Sequence, residues 1–203
     1  QQGRKIRQRS VENVVKEIKY WIKNLKTNKF AFRDPVFSIN RKYTVSLCEE
    51  IIKENLKIEF LIETHLKNLD DELIILLKNA GLKMVYVGIE SSNTNVLKDI
   101  KRFTVNNDEQ YQIIKKLKKS GIYVKSMFMF GNPEDSVETI KKTIEYSKFL
   151  PNQLVQYSIF TPYPGTPAYN EFKNKIVVHE FEKYNQYNLV YKHKSLNNDI
   201  IIK

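Results

Sequence analysis

Residues 107–134 read NDEQYQIIKKLKKSGIYVKSMFMFGNPE, and they hold one complete helix–strand unit. Residues 107–119 read as a helix that stops at Gly121, because glycine tolerates the left-handed turn that closes a helix. Residues 123–131 follow as a run nearly continuous in apolar side chains, after which Gly131-Asn132-Pro133-Glu134 turns the chain. Strands of that composition occur where both faces of a sheet are covered, which predicts parallel pairing. The same unit recurs outward in both directions. Strands are expected at 29–33, 58–63, 84–90 and 154–161. Between them, Ser10 caps a helix over 10–25 with Val14, Val15, Ile18 and Ile22 as its stripe. Residues 43–54 carry Val45, Leu47, Ile51 and Ile52, and residues 70–79 carry Leu73, Ile74, Leu76 and Leu77 before stopping at Gly81. Further helices are expected at 136–150, ending before Pro151, and at 167–175.

This alternation predicts an α/β fold with a parallel sheet, either an open doubly wound sheet or the arc of a barrel. The series opens on the helix at 10–25, where a strand is expected first. One strand and its loop are therefore expected to precede these residues. From about Val177 the pattern gives way to Phe181, Tyr184, Tyr187, Tyr191 and His193 without either period. The domain expectation is a barrel over 1–176 and a tail over 177–203 packed across it.

With 203 residues the chain fits one large domain. No apolar run approaches a membrane-spanning helix and mean hydropathy is negative, which argues against a membrane role. The single cysteine, Cys48, excludes an internal disulfide and suits a reducing cytoplasm. Its helical surroundings predict a packed side chain rather than a reactive one. The net charge of +11 raises nucleic acid as a partner, but lysines such as Lys16, Lys19, Lys116 and Lys119 lie on polar helix faces. The basic run Arg4, Lys5, Arg7, Gln8 and Arg9 is the exception, and it supports a second reading. On that reading the chain is a non-catalytic α/β barrel module that binds RNA or a protein partner through this run.

Ligands of parallel α/β folds sit at the carboxyl ends of the strands. Those ends are polar here: Arg33-Asp34-Pro35, Glu63-Thr64-His65, Glu90-Ser91-Ser92-Asn93, Gly131-Asn132-Pro133-Glu134 and Thr161-Pro162-Tyr163-Pro164-Gly165-Thr166. Carboxylates gathered on one mouth repel one another and favour a zwitterionic or cationic guest. For single residues the alternatives stay open. Glu134 can cap the next helix, Asp34 can open a turn, Tyr163 can pack, and Gly131 can serve a turn instead of a ligand.

Taken in order, Phe30-Ala31-Phe32-Arg33-Asp34-Pro35-Val36-Phe37, Ile62-Glu63-Thr64, Val87-Gly88-Ile89-Glu90-Ser91, Met127 to Glu134 and Thr161 to Thr166 resemble the radical S-adenosylmethionine (radical SAM) superfamily. More narrowly, they are similar to the branch whose members often carry an upstream cobalamin-binding domain. The likeness runs from about Arg4 to Ile176, with a fainter echo in 184–196. It implies a partial parallel (βα)6 TIM-like barrel whose first strand leads into a Cys-x3-Cys-x2-Cys loop holding a four-iron four-sulfur (4Fe-4S) cluster. The implied chemistry is reductive cleavage of S-adenosylmethionine to a 5′-deoxyadenosyl radical.

Carried onto this sequence, the resemblance puts Asp34 near the methionyl amine, and Glu63, Glu90 and Ser91 toward the methionyl or ribose part. Lys101, in Ile100-Lys101-Arg102-Phe103-Thr104, would pair with the carboxylate. Met129, Gly131 and Glu134 match the fifth-strand motif, and Pro162 and Tyr163 the edge near adenine. The departures are the absent cysteine triplet, His65 where relatives have Arg, and Met127 where the motif often has Gly. These residues alone are therefore expected to be inactive and at most to bind S-adenosylmethionine weakly, toward a substrate left unspecified. Without a preceding strand, 29–33 is an open sheet edge, a feature that invites association with a second copy.

Overall fold

The computed structural model describes residues 6–102 and 104–202. Arg4 and Lys5 of the basic run, and Phe103, lie outside them. The elements in order are α1 (Val11–Leu25), β1 (Lys29–Ala31), α2 (Arg41–Lys53), β2 (Glu59–Thr64), α3 (Asp71–Ala80), β3 (Leu82–Glu90) and α4 (Thr94–Asp99). They continue with α5 (Asn107–Lys119), β4 (Tyr123–Phe130), α6 (Val137–Phe149), β5 (Leu154–Ile159), α7 (Pro167–Phe172) and α8 (Asn198–Ile202). All five strands are parallel, in the order β1-β2-β3-β4-β5, and curl into part of a TIM-like barrel with helices outside. Among the described residues no helix is long and apolar enough to cross a membrane.

The helices begin and end where local chemistry dictates. The Ser10 hydroxyl accepts from the Asn13 amide at 3.3 Å, and the Asp70 carboxylate accepts from the Leu73 amide at 2.9 Å. Asn106 with Glu109, and Ser136 with Thr139, form reciprocal caps on α5 and α6. Helix α3 stops at Gly81, whose φ of 109° only glycine adopts cheaply. A Cβ there would lie 2.1 Å from the Ile58 carbonyl oxygen, so this glycine also lets the chain re-enter the sheet.

Burial alternates along β2, β4 and most of β3. Phe60, Ile62, Val85, Val87, Ile89, Val124 and Phe128 face the helices and are buried against Leu47, Cys48, Leu73, Leu77, Ile114 and Leu117. Each such side chain contributes roughly 1.5–3 kcal/mol of burial. The opposite, concave side carries Glu63, Tyr86, Lys125, Met127 and Gln156, all half-buried. One face is thus covered by helices and the other is the interior side of a barrel arc. Five strands do not close the barrel, so its interior side stays open to polar residues.

β1 is shorter than the expected 29–33 because Phe32 turns outward to pack on Phe37 and Phe60, with ring centroids 5.0 and 5.4 Å away. Helix α4 was not legible, and 167–175 divides into α7 and a 3-10 turn at Lys173–Lys175. Beyond it, Ile176 bridges antiparallel to Tyr191, and Phe172, Leu189, Tyr191 and Leu196 bury a second cluster with Ile159. Arg9 of the basic run is paired with Glu17.

Candidate binding site at the strand ends

The end of β3 is the most constrained part of the rim. A bulge between Gly88 and Glu90 throws Glu90 into the left-handed region, at φ 66°. Its carboxylate meets the Arg102 guanidinium at 3.1 Å, and both side chains are largely covered. A Cβ on Gly88 would lie 2.5 Å from both Arg102 Nη2 and Glu90 Oε1, so the missing side chain is the space the pair occupies. Burial pushes the Glu90 carboxyl up, Arg102 pulls it down and Glu63 pushes it up again. Among the described residues Arg102 Nε is buried with no hydrogen-bond partner, a donor left over. Burial and then Arg102 hold His65 below the usual imidazole range, so it is neutral at pH 7.

Ser91 follows but faces inward. It is buried, its hydroxyl sits 3.3 Å from that of Thr143 and accepts from the Asn93 amide at 3.1 Å, so it ties the loop to α6. Lys101 is exposed, with φ 53°, and that left-handed turn after α4 delivers the neighbouring Arg102 to the rim instead. Arg102 is the residue that sequence reasoning missed. The signal available was only a second cation beside Lys101.

At the end of β4, Met129 stands half-buried on the concave side and the loop beyond it is pinned from outside. Asn132 donates through Nδ2 to the Met129 carbonyl at 2.8 Å, and its amide donates to Asp135 at 2.9 Å. Burial raises the Asp135 carboxyl, against hydrogen bonds from Asn132 and Thr139 that lower it. The Tyr191 hydroxyl donates to the Gly131 carbonyl at 2.7 Å, and His193 Nε2 lies 2.8 Å from the Asn132 carbonyl. Because Ser195 and Leu196 amides donate to His193 Nδ1, the ring carries its proton on Nε2.

Gly131 has φ 75°, and a Cβ there would meet Leu189 at 3.1 Å, so the turn and the tail explain this glycine without a ligand. Glu134 is exposed and paired with Lys194 at 2.9 Å, and the cap of α6 is Ser136, not Glu134. At β5, Pro162 is buried while Tyr163 remains exposed instead of packed.

Asp34 is exposed after β1, beside a cleft of about 530 Å³ lined by Val14, Ile18, Trp21, Phe30, Phe32 and Tyr43. Burial and then Asp34 push the Tyr43 phenol up. Parallel pairing puts the residues after all five strands on one rim. Within it, Glu63, Glu90 and Met129 share the concave end with His65 and Arg102, whereas Lys101, Glu134 and Tyr163 reach solvent.

An S-adenosylmethionine fits this donor set, because a half-buried acid and a guanidinium with a spare Nε, held together over Gly88, suit a charged methionyl group. A cluster does not fit. Cys48 is fully buried in α2, burial pushes its thiol up to about 12, and among the described residues no group of three or more His, Cys, Asp or Glu could hold a metal.

The profile of the Radical SAM superfamily matches residues 1–147. An uncharacterized methyltransferase of Pyrococcus horikoshii is 27% identical over 203 residues, 99% of this chain and 44% of its own length. The anaerobic magnesium-protoporphyrin IX monomethyl ester cyclase of Rubrivivax gelatinosus is 29% identical over 184 residues, 90% of this chain and 33% of its own. The chain thus spans less than half of these relatives. Among solved structures, the radical S-adenosylmethionine methyltransferase TsrM from Kitasatospora setae, with cobalamin and a [4Fe-4S] cluster bound, superposes with a TM-score of 0.75 at 20% identity, covering 82% of this chain and 34% of that one.

Proposed function

The chain belongs to the radical SAM superfamily, and from that premise we propose that its strand ends form the S-adenosylmethionine-binding part of an enzyme acting by radical chemistry. The observation that carries this reading is the Glu90–Arg102 pair over Gly88, with its buried spare donor. When bound, S-adenosylmethionine supplies a sulfonium whose reductive cleavage yields a 5′-deoxyadenosyl radical. The chain's own part is to bind and orient. Arg102 takes the methionyl carboxylate, the role first expected of Lys101, and Glu90 with Glu63 takes the amine or ribose hydroxyls. Asp34 and Pro162 lie on the same rim and would border the ligand.

No residue here is assigned to a cluster. One cysteine cannot supply three thiolates, so the reading requires cluster ligands from outside these 203 residues. Cobalamin, bound by the Kitasatospora relative, is likewise proposed only for a neighbouring domain. Methyl transfer, methylthiolation of RNA and ring rearrangement are each compatible with this radical chemistry.

The test is calorimetric titration of this chain with S-adenosylmethionine. Weak binding is expected, reduced about tenfold or more in Arg102→Met, as follows from losing a charge-assisted contact. No heat at millimolar ligand, or equal affinity in the variant, would remove the reading. The chain alone is expected to form no 5′-deoxyadenosine.

A further inference from the structure

The concave face below the rim carries a feature that the S-adenosylmethionine reading does not use. Register puts Glu63, Tyr86, Lys125 and Leu154 side by side on four adjacent strands. One row nearer the rim stand Gly88, Met127 and Gln156, and one row deeper stand Leu61, Met84 and Tyr123. Rows of this kind are separated by roughly 6–7 Å.

Lys125 is half-buried in the middle row, its ammonium 4.6 Å from the centre of the Tyr86 ring. Among the described residues it makes no ion pair, and Glu63, two strands away, stands at roughly 9–10 Å by strand spacing. A lysine that only needed solvent would extend to the edge. This one leans across the floor of the sheet.

The apolar part of the face is equally particular. The chain has three methionines, Met84, Met127 and Met129, and all three are half-buried on this side. The helix-facing core is filled by Ile, Leu, Val and Phe instead. Methionine is flexible and polarizable, and it suits a surface that must mould to a guest.

We propose that this face binds the substrate, that Lys125 backed by Tyr86 takes its anionic group, and that the methionines take an apolar body. With Arg102, one row nearer the rim, already paired to Glu90, the single ammonium of Lys125 suits a singly charged carboxylate better than a phosphate. The substrate class is therefore an apolar-bodied carboxylic acid. The inference rests on the reading above only in placing the reaction one row away, at Gly88 and Glu90.

The test uses ¹³C-methyl methionine, which gives three signals in the parent chain that all report this face, and one added signal in each variant that introduces a methionine. The probes are 2-naphthoate and its neutral isostere 2-naphthamide, titrated at millimolar concentration. Naphthoate is expected to shift Met84 and Met127, with affinity falling about tenfold or more in Lys125→Met and recovering in Lys125→Arg. Naphthamide binding should stay within about twofold in the same variants, and Lys118→Met on exposed α5 should change neither. Absence of any naphthoate shift, equal binding of acid and amide, or an unchanged affinity in Lys125→Met overturns the proposal. Arg102→Met separates the two readings, since it should weaken S-adenosylmethionine and leave naphthoate within about twofold.

Discussion

Glycine 88 and its two neighbours in space make the sharpest case for a residue chosen by its surroundings. Gly88→Ala would push aside the tips of Glu90 and Arg102, and because both are the far ends of flexible side chains the expected loss is at most about 1 kcal/mol. Chemical denaturation should read that loss, and a variant as stable as the parent would show that the pair moves freely. The same pair gives a pH signature. The Glu90 carboxyl lies above its ordinary value of 4.5, so it favours the fold while protonated, and that advantage is lost as pH rises through the folded value. Arg102→Met removes the charge that opposes the upward shift. The variant should therefore lose more stability than the parent between about pH 4 and pH 7, with thermal melts at both ends as the measurement. Parallel pH profiles would exclude this. That Glu63 and Glu90 stand at strand ends was legible in the sequence. The choice of Arg102 over Lys101 was not, because it depends on a left-handed residue after a helix too short to leave a periodic signal.

Strands and helices were legible where one side is closed. The apolar runs at β2, β3 and β4 announce themselves because a helix layer buries every second residue, and Ser10, Asp70 and Gly81 mark helix ends through local hydrogen bonds and sterics. Gly81→Ala combines a left-handed φ with a backbone contact that cannot yield, and a loss of more than about 1 kcal/mol is expected in a urea titration. The concave polar row escaped notice because Tyr86 and Lys125 sit inside runs that read as continuous strand, and only register aligns them. The tail escaped for a different reason. Its order comes from Tyr191, His193 and Lys194 binding the β4 loop some sixty residues earlier, a tertiary fact with no local period. His193→Ala would leave the Asn132 carbonyl with the Asp135 amide as its donor and would strip the Ser195 and Leu196 amides of their Nδ1 acceptor, at about 1–3 kcal/mol. Limited proteolysis should then cut after residue 176 faster than in the parent, and an unchanged cleavage rate would argue that Tyr191, Lys194 and Ser195 hold the tail without it.

At the scale of the molecule, β1 is paired on one side only among the described residues, next to the cleft under α1. Unpaired backbone beside Phe30 and Phe32 is a template for another strand, and the expected consequence is reversible self-association that grows with concentration. Sedimentation equilibrium checks it, and a monomer throughout the accessible range counts against it.

The cleft also contains the chain's one tryptophan, Trp21, partly exposed and hydrogen-bonded to Glu17. An indole placed there is a built-in optical gauge of whatever comes to rest against that margin. Its emission should move toward the blue when the margin is covered and stay put when a small molecule fills the far rim, which lets one cuvette tell the two events apart.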